Sequence, residues 1–221
     1  ATDIFEALVE LFVKYNYNTQ LYSILDDIDM KNKAVYRTAW LDKKYLDAET
    51  TELLSDLIIK TDKPILFNRL KNTRSALEHP LNSKFLDNLL QKLSMNERDF
   101  KWSEWIRRNQ DRIIDDLQYY EKRWQSVKSP DDRDYLIARW IMWTLTSTIR
   151  LLRDQASKTL YCYGAYDPKG LFDLTIQSLD INDPYVPERM LASAYGVVMS
   201  FCSKSDATEL REILPEFANA I

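Results

Sequence analysis

Only three glycines, Gly164, Gly170 and Gly196, occur in a chain of 221 residues. Tight hairpins, phosphate-cradling loops and β-bulges lean on glycine, because it alone enters positive φ without steric cost. A chain this poor in glycine is a weak candidate for a sheet-rich enzyme and a good one for helices joined by short polar loops. With 45% apolar residues and six tryptophans, it holds enough apolar surface for one sizeable core, or for one elongated core shared by stacked units. The fold class expected is all-α.

Apolar spacing places the helices. Phe5, Leu8, Val9, Phe12 and Val13 recur at i, i+3, i+4, i+7 and i+8 behind the candidate cap Thr2, and predict one stripe facing a core. Leu21, Ile24, Leu25 and Ile28 repeat the pattern. So do Leu53, Leu54, Leu57 and Ile58 behind a cap at Thr50 or Thr51, and Leu86, Leu89, Leu90 and Leu93 after Pro80. The longest helical signal runs from Ser103 to Trp124, with Ile106, Ile113, Leu117, Tyr120 and Trp124 on one face. Ser129, Pro130 and the acids after them form a loop and cap, which divides the chain into 1–128 and 129–221; the two parts either form subdomains or continue one helical stack. The next segment, Tyr135 to Leu145, is apolar on nearly all sides and is expected to be packed on several.

Beyond it lies a faint repeat. Leu152-Arg153-Asp154-Gln155-Ala156 is echoed 36 residues later by Glu188-Arg189-Met190-Leu191-Ala192, with a short helix, Leu171 to Leu179, between them. An arginine followed three residues on by alanine, once per helix pair, reads as a HEAT-like array, whose units bury their faces only by stacking on neighbours.

The formal charge of −4 provides no global basic field for nucleic acid or anionic lipid. No apolar run reaches the roughly 18 to 20 residues that span a bilayer, and neither a signal peptide nor an Asn-x-Ser/Thr sequon is present. Cys162 and Cys202 lack CxxC spacing and read as reduced, buried thiols. These features predict a cytoplasmic protein with no membrane contact. The start at Ala1 and the end at Ile221 in mid-pattern are those of an excised piece, or of a chain that has lost its initiator methionine.

Catalytic patterns are sparse. Nucleophilic catalysis through a His-assisted Ser or Cys would have to recruit His79, the single histidine, which sits at a helix terminus before Pro80 and reads as a surface or capping residue. No phosphate-binding loop and no zinc-ligand spacing occurs. The acid pairs Asp26-Asp27, Asp115-Asp116 and Asp131-Asp132 point different ways on a helix and read as solvated faces and caps; a hydrolase using scattered carboxylates would need them assembled in three dimensions. The expectation is a non-enzyme without cofactor or metal. Lys101 to Trp124 interleaves cations with Trp102, Trp105 and Trp124, but its acids nearly cancel them, and a salt-bridged helix with a core-facing aromatic stripe accounts for it. Lys60, Lys63, Arg69, Lys71 and Arg74 face only Asp62, which makes this segment the candidate nucleic-acid contact of an alternative reading, a stand-alone helical adaptor.

The runs Trp102-Ser-Glu-Trp-Ile-Arg107, Trp143-Thr-Leu-Thr-Ser-Thr-Ile-Arg-Leu-Leu-Arg-Asp-Gln-Ala156 and Asn182-Asp-Pro-Tyr-Val-Pro-Glu-Arg-Met-Leu-Ala-Ser-Ala-Tyr-Gly-Val197 together carry a family likeness. The stretch from about 100 to 200 resembles the helical region downstream of the ATPase in large bacterial STAND (NACHT-type) NTPases of the antiviral AVAST class. It departs from that pattern at Ile149, where the family has asparagine. The resemblance implies a bacterial defence or signalling protein in which this chain, lacking Walker motifs, serves as a scaffold. It would relay target binding to ATPase-driven assembly through protein partners or other domains of its parent chain. Arg150, Arg153, Asp154, Glu188 and Arg189 are then candidates for polar ties between successive helix pairs, with Tyr185 and Tyr195 packing beside them.

Overall fold

The computed structural model describes residues 2–61, 63–126, 129, 131–202 and 208–220. The side chains of Thr2 and Cys202, and the residues Asp62 and Pro130, lie outside the described residues, so the cap, thiol, counter-charge and loop expected there are not placed. Among the described residues every regular element is a helix and no strand occurs.

The first half comprises α1 (Thr2–Lys14), α2 (Asn18–Ile24), α3 (Ile28–Thr38), α4 (Ala48–Lys60), α5 (Ile65–Thr73) and α6 (Ser83–Gln91). Short polar side chains start several of them. Asp27 accepts the Asp29 amide at 2.7 Å to open α3, Asp47 accepts the Thr50 amide at 2.7 Å to open α4, and Asn82 opens α6. The α4 cap is therefore Asp47 and not Thr50 or Thr51, whose backbones already lie in the helix. Leu21 to Ile28 is likewise not one helix: α2 ends at Ile24, Asp27 starts a new one, and Ile24 and Ile28 are both exposed. In α1, Val9 and Val13 are buried but Leu8 is 48% exposed. It joins Ile4, Leu11 and Tyr15 in a second, outward apolar row at i, i+4, i+7 and i+11.

The connection to the second half runs through α7 (Met95–Arg98), a π-helical turn Asp99–Ser103, α8 (Glu104–Arg108) and α9 (Gln110–Ser126). Ser94 and Glu97 form a reciprocal capping box at its start. The long helix expected from Ser103 to Trp124 is thus broken at Asn109, whose backbone leaves the helical region and whose side chain turns back to the Trp105 carbonyl at 2.8 Å. Asparagine competes for backbone hydrogen bonds in this way, and helical periodicity alone does not reveal it. The π turn lets Trp102 and Trp105 face the same core, with ring centres 5.1 Å apart in a stack and Phe67 set edge-on to Trp102 at 5.4 Å.

The second half holds α10 (Asp132–Thr144), α11 (Arg150–Tyr166), α12 (Pro168–Ser178), α13 (Tyr185–Cys202) and α14 (Thr208–Ala220). Asp131 caps α10 as the acids after the loop predict, and every residue from Leu136 to Ser147 is buried. Helix α11 lies between α9 and α13; α12 packs on α11, α13 and α14; α10 joins the halves by packing on both α6 and α11. Gly164 lets these helices close up, since a Cβ there would sit 2.2 Å from Leu171 Cδ2 and 2.8 Å from Val197 Cγ2. A single apolar cluster extends from Val9 to Phe217.

Candidate functional site

The α11–α13 seam brings most of the expected tie residues together. The Arg189 guanidinium donates to Asp154 at 2.7 Å, and Arg150 lies 3.5 Å from the other oxygen of the same carboxylate. Arg153 donates to the Ser147 carbonyl at 2.6 Å and lies over the Tyr185 ring, 4.6 Å from its centre. A tie that the sequence did not single out completes the seam: the Ser193 hydroxyl donates to the Ser157 carbonyl at 3.2 Å. Glu188 and Tyr195 point elsewhere. Glu188 is exposed and makes no ion pair with a described residue, and Tyr195 is 66% exposed on the outer face of α13, one turn from Met199.

The basic segment is scattered by the fold. Lys60 pairs with Asp56 at 2.8 Å. Arg69 donates to the Ala39 and Leu41 carbonyls at 3.0 and 3.1 Å, closing the end of α3. Lys71 and Arg74 both meet Asp116 of α9, at 2.8 and 3.3 Å, and Arg74 also lies over Trp140. Lys63 alone is exposed without an acidic partner among the described residues. Arg69, Lys71 and Arg74 tie separate elements together and do not join Lys60 and Lys63 in a common face. In the other basic stretch, Trp102, Trp105 and Trp124 are buried and Arg107 and Arg108 pair with Glu104, a salt-bridged helix over a core-facing aromatic stripe.

Two buried ionic ties escaped sequence reasoning because their partners are far apart in the chain. Asp87 of α6 accepts from Arg139 of α10, and its other oxygen accepts the Trp143 indole N–H at 2.7 Å; Arg139 also donates to Gln177 of α12 at 2.7 Å. Arg98, fully buried, donates to the Asn182 side chain at 2.6 Å and lies 3.7 Å from Asp183. Burial pushes the Asp183 carboxyl above its ordinary range and the Arg98 guanidinium below its own. A single arginine at helical spacing in an apolar helix was the available signal for Arg139.

His79 is buried and its Nδ1 accepts the Leu81 amide at 3.0 Å, which shapes the turn into α6 and makes it an interior rather than a surface residue. Burial, and then the charges of Arg69 and Lys43, hold its imidazole below the usual histidine range. The sign follows: the unfolded chain takes up a proton at a higher pH than the folded one. The contribution of this imidazole to stability is fully present above about pH 6.5 and declines as pH falls below it. Thermal melts at pH 7.5 and 5.5 are expected to show this decline, and His79→Asn, which keeps an acceptor near Nδ1, is expected to flatten it; an unchanged slope in the variant would assign the decline to other groups.

No group of three or more His, Cys, Asp or Glu is placed to hold a metal among the described residues. Asp27 and Asp131 act as caps and Asp116 as an ion-pair partner. No helix among the described residues is long and apolar enough to cross a membrane. Cys162 is free and buried, and burial raises its thiol.

A cavity of about 570 Å³ left no plain signal in the sequence. It lies between α1, α3 and the α4–α5 junction, and Phe5, Lys33, Tyr36, Arg37, Leu57 and Lys63 line it. The i, i+4 recurrence of Asp29, Lys33 and Arg37, with Asn32 and Tyr36 alongside, was its only trace in the sequence.

No protein-family model, no curated protein and no solved structure matches this chain.

Proposed function

We propose that the chain is a non-catalytic helical scaffold, a HEAT-like stack of helix pairs within a larger STAND-type NTPase of bacterial defence. There it relays target binding to ATPase-driven assembly. The observation that carries the scaffold part is the meeting of the repeat with itself. Residues 36 apart in sequence, Ser157 and Ser193, are hydrogen-bonded across α11 and α13, and Asp154 and Arg189 tie the same seam. Helix α11 packs on both α9 and α13, and α12 packs on α14, contacts that support a reading as units burying a face by stacking. The STAND part rests on the resemblance of residues 100 to 200. The outer face of α13, with Tyr195 and Met199, offers a partner the side-chain types enriched at interfaces.

The test is the intact mass of the native polypeptide in its source cell, read with an antibody raised against this 26.2 kDa chain. A species of roughly 100 kDa or more, with stacked-helix segments set among other domains, supports the reading; a species near 26 kDa overturns it. Within the seam, Arg153→Ala is expected to cost about 1 to 2 kcal/mol, because a half-buried carbonyl tie and a ring contact are lost. Arg189→Ala is expected to cost under ~1 kcal/mol, because its partner is half exposed. Chemical denaturation measures both, and two wild-type-like variants would remove these arginines from the scaffold.

A further inference from the structure

The large groove combines ring surface with positive charge that the scaffold role does not use. Phe5 and Tyr36 supply the rings and Leu57 an aliphatic floor. Lys33 and Arg37 stand one turn apart on α3, the spacing at which helical side chains become neighbours. Lys63 enters from the α4–α5 connection, its ammonium 6.0 Å from the centre of the Tyr36 ring. The volume, about 570 Å³, falls within the range of roughly 300 to 1,000 Å³ typical of small-molecule sites.

Charge decides what fits. Arg37 is already neutralised by Glu10 at 2.6 Å and Glu6 at 3.5 Å, so it serves as wall. Lys33 and Lys63 are exposed, and no described carboxylate pairs with either. The remaining acid in the lining, Asp29, sits in the first turn of α3, where the helix dipole already favours it. An adjoining cavity of about 280 Å³ shares Asn32, Leu57 and Thr61 with the groove and adds Lys31 to its rim.

We infer that this groove binds a small anionic molecule bearing a flat ring, with the ring against Tyr36 and Phe5 and the acidic group held by Lys33 and Lys63. An uncharged ring compound is the poorer occupant. It would suit better the apolar recess formed by Leu11, Phe12, Tyr15, Tyr17 and Gln20 on the other side of α1, and in the groove it would desolvate two ammonium groups that have no carboxylate partner among the described residues. A long polyanion is also a poor fit, since the neighbouring cations Lys71 and Arg74 are bound to Asp116.

The test uses 8-anilinonaphthalene-1-sulfonate as the anionic ring probe and N-phenyl-1-naphthylamine as its uncharged counterpart. Fluorescence titration at low salt is combined with amide chemical-shift mapping of the wild-type chain. The expected result is saturable binding of the sulfonate that weakens as salt is raised, with shifts at Asn32, Lys33, Tyr36 and Thr61. The Lys33→Gln, Lys63→Gln double variant is expected to lose about tenfold in affinity for the sulfonate, and to lose little for the uncharged amine. No binding at low salt overturns the inference. So does equal affinity for the two probes, or a shift map centred on Leu11, Tyr15 and Tyr17. The wild-type map decides the matter even if the double variant does not fold.

Discussion

Replacing Asp87 by alanine is expected to destabilise the protein by about 3 to 5 kcal/mol, because it strands a buried guanidinium without its counter-charge. Asp87 is buried, accepts from Arg139, and holds the Trp143 indole N–H at 2.7 Å. Its loss leaves two donors unsatisfied where α6 meets α10, the main contact between the halves of the chain. At roughly 2 to 4 °C per kcal/mol for a protein of this size, the melting temperature is expected to fall by about 6 to 20 °C. The double replacement Asp87→Leu, Arg139→Met is expected to recover the share of the loss due to the stranded guanidinium, while the Trp143 indole N–H stays without its acceptor. A single Asp87→Ala variant that melts within about 2 °C of wild type would mean that water reaches Arg139 and that the tie does not hold the halves together.

Trp102→Ala is expected to cost about 3 to 5 kcal/mol, by cavity formation rather than by an unpaired charge. The indole is fully buried, stacked on Trp105, edge-on to Phe67 and at 90° to Trp140, and its N–H donates to the Trp143 carbonyl at 2.9 Å. Trp102→Phe separates the contributions. It keeps most of the packing and gives up the hydrogen bond, and the carbonyl retains the Thr146 hydroxyl at 2.9 Å as a donor, so a cost of only ~1 to 2 kcal/mol is expected. Urea denaturation of the three proteins measures the difference. Equal costs for Phe and Ala would place the effect in the hydrogen bond.

Where one helix buries one face, the sequence pattern was enough. Leu54, Leu57 and Ile58 of α4, Leu86, Leu89 and Leu90 of α6, and the apolar run of α10 are buried as their spacing predicts. The same reasoning misplaced Leu8, because α1 carries two apolar rows at helical spacing and periodicity does not say which one meets the core. It ran α2 into α3 across Asp27 for a related reason: a cap and an exposed helical aspartate are the same residue type. Asn109 broke a helix whose apolar spacing continues on both sides, since its side chain competes for the backbone.

The candidate site divides in the same way. Arg153, Asp154 and Arg189 lie in the 36-residue echo, whose two copies the fold sets side by side; Tyr185 lies outside the echo and was named only from the family resemblance. Lys71 and Arg74 looked like free positive charge because their counter-ion, Asp116, is more than 40 residues away and shares no local pattern with them. The groove draws Phe5 from α1, Lys33 and Tyr36 from α3, and Lys63 from the α4–α5 connection, three elements that no spacing rule connects.

Local chemistry therefore determined what each segment becomes. The scarcity of glycine, the period of the apolar residues, and the short polar caps settle a helical chain with a defined inward face for most helices, because those preferences act over a few residues. The tertiary structure decided which charges are neutralised, which of two apolar rows is covered, and where a cavity remains. Those outcomes depend on Coulombic and packing partners brought close only when helices distant in the chain fold together.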